Sequence, residues 1–125
     1  MRRTFIEFKE FQDKIFELGV TEDGVGMIQW QIMLDPKKHP VIPGTGGLRK
    51  MRYAIGNRGK SGGVRVLYVD FDKYAITYLI TAYAKNEQDN ISTSDRHKLR
   101  LLIEQLEINI KNNKHLNIGK GVFYE

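Results

Sequence analysis

The chain has 125 residues, 41% hydrophobic and 28% charged, with a net charge of +5 and no cysteine. That size suits one domain with its own core, and six Phe, six Tyr and one Trp set it apart from a disordered chain. No run of eighteen apolar residues occurs and Arg2-Arg3 is followed by charged Glu7, Lys9 and Glu10, so neither a membrane span nor an export signal is expected; the missing cysteines exclude disulfides and thiolate metal sites and fit a reducing cytoplasm.

The charge is unevenly placed. Residues 41–85 carry eight Lys/Arg against two Asp/Glu, while the segments on either side are close to neutral. No acid lies between Val41 and Val69. A basic stripe of this kind fits a polyanionic partner, nucleic acid first; a solvated face with acids folded beside it is the plainer reading.

Thr4–Ile6 reads as a short opening strand. Phe8, Phe11, Ile15 and Leu18 recur at helical spacing, and Gly19 ends that helix. Thr21 is the expected N-cap of a second helix, with Val25, Ile28 and Ile32 as one stripe and Met27, Trp30 and Leu34 widening it; Trp30 is assigned to the core. Asp35-Pro36 closes the helix, since the residue before proline is pushed out of helical conformation. A loop rich in Pro and Gly follows, from Pro36 to Gly47. Arg49–Ile55, Val64–Phe71 and Tyr74–Tyr83 are the next three strands, joined by the glycine-rich 56–63 loop and by an Asp72-Lys73 turn. Ser92-Thr93-Ser94-Asp95 resembles a capping box, and Leu99, Leu102, Ile103, Leu106 and Ile110 mark an amphipathic helix. The tail, residues 112–125, shows only a weak strand signal at Val122–Tyr124. The expected fold is α+β over one domain, residues 1–125, with an antiparallel three-strand meander and the helices on one side of the sheet.

Alternation places Lys50 and Arg52 on one strand face and Met51, Tyr53 and Ile55 on the other, toward the core. Arg65 interrupts an otherwise apolar strand and is expected on an exposed or concave face with a partner. Lys85 follows the third strand. A meander lets these four cations converge; the bland alternative pairs them with Asp70, Asp72 or Glu87. Arg58 and Lys60 lie on the glycine-rich loop, which lacks phosphate-loop spacing and opens no helix, so a plain surface role is the simpler reading there. His39, His97 and His115 are far apart without carboxylates at ligand spacing, no Ser or Thr sits in a nucleophile motif, and Glu22, Asp23, Glu104 and Glu107 read as helix-surface charges. No metal or other cofactor is expected.

The run Val41-Ile42-Pro43-Gly44-Thr45-Gly46-Gly47-Leu48-Arg49-Lys50-Met51-Arg52, followed by Gly62-Gly63-Val64-Arg65-Val66-Leu67-Tyr68 and by Tyr83-Ala84-Lys85-Asn86-Glu87, resembles the RelE/HigB-type toxins of bacterial type II toxin–antitoxin modules, in their phage-derived, HigB-like branch. The likeness spans residues 3–111 in element order and stops before the tail. It implies a microbial-RNase-like fold and an mRNA endonuclease that acts on the ribosome in the cytoplasm without a metal. It also implies neutralisation by a cognate antitoxin, often of helix-turn-helix type. On the residues that match, Arg65 would clamp the scissile phosphate. Lys50 and Arg52 would form the basic pair, with Lys50 the proton-transfer candidate, and Lys85 would be the cation ending the last strand. Arg49, Arg58, Lys60 and Tyr83 are candidate RNA contacts. Two departures stand out: Asn86 replaces an arginine found in some relatives, and Asn90-Ile91-Ser92 lacks a tyrosine, a role left to Tyr83 or Tyr68. The alternatives are a gyrase-directed toxin of similar fold, which needs no converging cations, and a non-catalytic nucleic-acid-binding phage accessory protein.

Overall fold

The computed structural model describes residues 2–55, 63–85, 87 and 91–112, and the backbone of 120–124. Its elements in chain order are β1 (Thr4–Glu7), α1 (Lys9–Glu17), α2 (Glu22–Leu34), β2 (Arg49–Tyr53), β3 (Val64–Phe71), β4 (Ile76–Ala84), α3 (Thr93–Lys111) and β5 (Lys120–Tyr124).

Local chemistry sets most of these boundaries. Gly19 takes a left-handed φ of 85°, which lets the chain reverse after α1. The Thr21 hydroxyl accepts from the Gly24 N–H at 3.1 Å, and the Ser92 hydroxyl accepts from the Asp95 N–H at 3.1 Å, so both expected N-caps form. The Asp72-Lys73 turn becomes a short 3-10 turn, Asp72–Tyr74, so Tyr74 lies before β4 rather than within it. β2 ends at Tyr53, two residues short of the expected strand.

The sheet order is β2-β3-β4-β1-β5. β2, β3 and β4 form the expected antiparallel meander. β1 lies parallel to β4, and β5 is antiparallel to β1, so the sheet is mixed and has five strands. The weak strand signal in the tail is thus realised as an edge strand.

Helices cover both faces, which corrects the one-sided expectation. Phe11 and Ile15 of α1 and Ile28 and Ile32 of α2 pack on Phe5, Met51, Val64, Val66, Tyr68 and Leu79. Ile103, Leu106 and Ile110 of α3 pack on the opposite face, against Ile6, Leu67, Val69, Tyr78 and Ile80. β3 and β4 are apolar on both sides, so each face needs a cover, and one hairpin cannot supply two. A second correction concerns Trp30, which is 50% exposed beside Met27 and Leu34. It lies two positions from both Ile28 and Ile32, about half a helical turn away, so the stripe that buries them turns Trp30 outward.

A buried ion pair closes one end of the sheet. Arg3 binds Asp70 and Asp72, and the Thr77 hydroxyl donates to Asp70 at 2.7 Å. Burial pushes the Asp70 carboxyl up from its ordinary value, against the pull of the Thr77 hydrogen bond and Arg3.

Glu7, at the end of β1, is also buried; Gln12 and Gln29 donate to its two oxygens at 3.2 and 3.4 Å. Burial raises its pKa above 4.5, and the Gln12 bond opposes the rise only in part. The folded chain therefore binds a proton more tightly than the unfolded one, and this group lowers stability as pH rises through the carboxylate range. Glu7→Gln keeps the shape and removes the charge. Urea unfolding is expected to show the variant gaining on wild type at pH 8, with the gain shrinking as the pH falls toward 4.5; a pH-independent difference would contradict this.

Candidate functional site

The register of the meander assembles the site. Arg52 of β2 stands directly opposite Arg65 of β3, and Arg65 stands directly opposite Tyr83 of β4. Lys50 is opposite Leu67, which packs toward α3, so Lys50, Arg52 and Arg65 share the α3 face. Tyr83 joins them through an irregularity. Leu67 pairs with Thr81 but Tyr68 pairs with Leu79, leaving Ile80 as an extra residue in β4. Leu79 faces α1 and α2, and strict alternation would send Tyr83 the same way; the bulge reverses the phase and brings Tyr83 into the α3-side cluster.

Arg65 is buried, at 3% exposure, which excludes the exposed one of the two faces expected for it, exposed or concave. It sits on an inner strand of the sheet, between Arg52 of β2 and Tyr83 of β4, whose long side chains flank it on both sides. Arg52 is exposed and Lys50 half-buried. Lys85 is exposed just past β4; its N–H donates to the Gly63 carbonyl at 3.4 Å, one rung beyond Val64–Ala84. Gly63 is required there, because a Cβ would come within 2.1 Å of the Tyr53 carbonyl oxygen.

Among the described residues, no carboxylate reaches Lys50, Arg52 or Lys85. The acids that might have neutralised them are engaged elsewhere. Asp70 and Asp72 hold Arg3, and Glu87 accepts from the Ala84 N–H at 3.1 Å. Also among the described residues, no three His, Cys, Asp or Glu side chains gather in a way that could hold a metal ion.

The other nominated residues separate. Arg49 lies on the α1/α2 face of β2, opposite Tyr68, and donates to the Lys37 and His39 carbonyls at 3.1 and 2.7 Å, tying down the segment after α2. Tyr68 is fully buried on that face and donates to the Pro36 carbonyl at 2.8 Å, with its phenol pKa pushed up by burial. It is thus turned away from the cations, whereas Tyr83 is among them. Arg58 and Lys60 lie outside the described residues.

The Pro/Gly loop forms one wall. Ile42 N–H donates to the Leu48 carbonyl at 2.8 Å and Lys50 N–H to the Pro40 carbonyl at 3.0 Å, so the loop leads straight into β2. Thr45 is buried at its centre: its hydroxyl donates to the Ile42 carbonyl at 2.6 Å and accepts from the Leu48 N–H at 3.1 Å. Between this wall and the sheet lies a groove of about 310 Å3 lined by Pro40, Val41, Pro43, Lys50, Arg52, Tyr83 and Arg96, at the lower end of the size range of ligand clefts. Arg96, in the first turn of α3, was not apparent in the sequence as part of the site. Its position in an N-terminal turn, where a cation is disfavoured by the helix dipole, is the signal that could have marked it.

A family model described as the RelE toxin of the RelE/RelB toxin–antitoxin system matches residues 44–125. The chain belongs to this family: it is a toxin of a toxin–antitoxin system, which implies an antitoxin partner. The matched segment begins in the Pro/Gly loop and contains the cations at Lys50, Arg52, Arg65 and Lys85. It runs through β5 to residue 125, further than the likeness read from the sequence.

Thr45→Val removes both hydroxyl bonds and leaves two buried backbone groups unpaired, each worth roughly 1–3 kcal/mol. Urea unfolding is expected to show a loss of about 2 kcal/mol or more; a loss below about 0.5 kcal/mol would mean the loop does not depend on Thr45.

Proposed function

We infer that the protein is a ribosome-dependent mRNA endonuclease of the HigB-like branch, acting in the cytoplasm without a metal and neutralised by a cognate antitoxin of helix-turn-helix type. The observation that carries this reading is the cross-strand row Arg52–Arg65–Tyr83 with Lys50 and Lys85 beside it, where, among the described residues, no carboxylate reaches Lys50, Arg52 or Lys85. Permanent positive charge held on a rigid sheet suits a reaction whose transition state accumulates negative charge on phosphate. A gyrase-directed toxin has no need of such a row.

The chemistry follows from RNA itself. The ribose 2′-hydroxyl attacks the adjacent phosphorus, the bond to the 5′-oxygen breaks, and a 2′,3′-cyclic phosphate and a 5′-hydroxyl result. The step needs a base for the 2′-hydroxyl, cations for the phosphorane and an acid for the leaving oxygen. Arg65 is assigned the scissile phosphate, because a guanidinium stays charged even when buried and presents a forked set of donors. Lys50 is assigned proton transfer. Arg52 and Lys85 are assigned the remaining phosphate charge, and Tyr83 a face for the neighbouring base or sugar. Arg58 and Lys60 are further candidate contacts to RNA.

Expression of wild type and Arg65→Ala in bacteria, with mapping of mRNA 5′ ends, tests the reading. Wild type should arrest growth and cut translated messages, and Arg65→Ala should cut at least tenfold less, about 1.4 kcal/mol or more of transition-state stabilisation. Arrest without cuts would move the target away from mRNA. Retention of cutting by the variant would remove Arg65 from the phosphate.

A further inference from the structure

We propose that Arg96 and the proline-walled groove form a second phosphate subsite, which holds the RNA backbone one nucleotide away from the phosphate being cut. The inference rests on the nuclease reading above and extends it to a helix the cleavage chemistry does not use.

The groove has two kinds of lining. Pro40, Val41 and Pro43 supply one apolar wall, and Tyr83 and Ile91 supply part of the other. Lys50, Arg52 and Arg96 supply positive charge from three places in the chain, two on β2 and one on α3. An apolar slot edged by cations suits a nucleotide, whose base or sugar needs a surface and whose phosphate needs charge.

Arg96 is held for this role. Its Nε donates to the Ile91 carbonyl at 3.1 Å, which fixes the plane of the guanidinium. Its stem passes Gly44, where a Cβ would meet Arg96 Cδ at 3.8 Å, and Gly44 has a φ of 79° that L side chains rarely adopt. One donor is thus spent on the protein. The two terminal nitrogens meet no partner among the described residues, and a fork of this kind is matched to a phosphate. Placing this cation in the first turn of α3, near Lys50 and Arg52, opposes both the helix dipole and like-charge repulsion, and a bound anion relieves both costs. Arg65, buried on β3, does not line this groove, whereas Lys50 and Arg52 of the cleavage site do; the groove therefore adjoins that site, and Arg65 and Arg96 address neighbouring phosphates.

The test uses the full chain and three variants with unchanged thermal unfolding. Arg96→Gln removes the charge, Arg96→Lys keeps it, and Lys98→Ala removes an exposed cation of the same helix that lines a different cavity. Binding is read by fluorescence anisotropy with a single-stranded RNA carrying 2′-O-methyl ribose throughout, which cannot be cut. Loss of one phosphate contact should lower the slope of log K against log salt by about 0.7 in Arg96→Gln. Arg96→Lys should restore the slope, and Lys98→Ala should leave it as in wild type. On ribosome-bound message, Arg96→Gln should raise KM about tenfold while kcat stays within about threefold. An unchanged slope and KM in Arg96→Gln would overturn the subsite, as would an equal loss in Lys98→Ala or failure of Arg96→Lys to recover. Wild type that does not bind the oligonucleotide would overturn it too. Wild type that binds through Arg96 but never cuts message would overturn the nuclease reading and leave the subsite standing.

Discussion

A guanidinium cannot shed its proton at any pH a cell tolerates, so Arg65 places a permanent charge inside a strand that is otherwise apolar. The rest of the molecule is arranged around that constraint. The two acids of β3 and its following turn, Asp70 and Asp72, lie at the far end of the strand, bound to Arg3. Asp70 takes the α1/α2 side with Thr77, whereas Arg65 takes the α3 side. Charge is therefore segregated by end and by face along eight residues. Had Asp70 stood on the α3 face near Arg65, the two would neutralise each other and the corner would hold no field for an anion.

Rigidity comes from elements that carry no charge. The Thr45 hydroxyl pins the Pro/Gly loop to the start of β2, and Gly63 lets β3 approach the end of β2 closely enough to complete the ladder. The Ile80 bulge then turns Tyr83 toward the cations. These features fix positions before any ligand arrives, so binding does not have to order the site first.

Much of this was legible in the sequence, and what was not has identifiable causes. Caps at Thr21 and Ser92 announce themselves, because their hydroxyls sit just ahead of a helical pattern. β3 reads directly from its β-branched run, and alternation correctly separates Lys50 and Arg52 from Met51 and Tyr53. Trp30 misleads because α2 carries apolar residues around most of its circumference, so pattern alone does not say which stripe is covered. The side taken by α3 depends on both sheet faces being apolar, which appears only once β3 and β4 are paired. Tyr83 was named as a candidate contact, but the face it takes was hidden, because a single-residue bulge leaves no mark in strand periodicity; Arg96 went unnamed because it reaches the groove through tertiary packing against a loop fifty residues earlier, its place in the first turn of α3 being the only local sign.

The position of β1 has a bearing on how the chain comes to be folded. β1 is made first, yet its parallel partner β4 begins at Ile76 and its antiparallel partner β5 at Lys120. Phe5 and Ile6, fully buried in the finished sheet, have no strand to pair with until more than seventy further residues exist. The β2–β3–β4 meander, by contrast, is assembled from neighbours in sequence, and loop closure there is cheap. The cationic corner thus belongs to the part of the sheet built from local pairings, and the two strands that complete the sheet, β1 and β5, lie far apart in sequence. Loop closure therefore favours the meander half taking shape before β1 docks on β4, since the pairings of the meander span fewer residues.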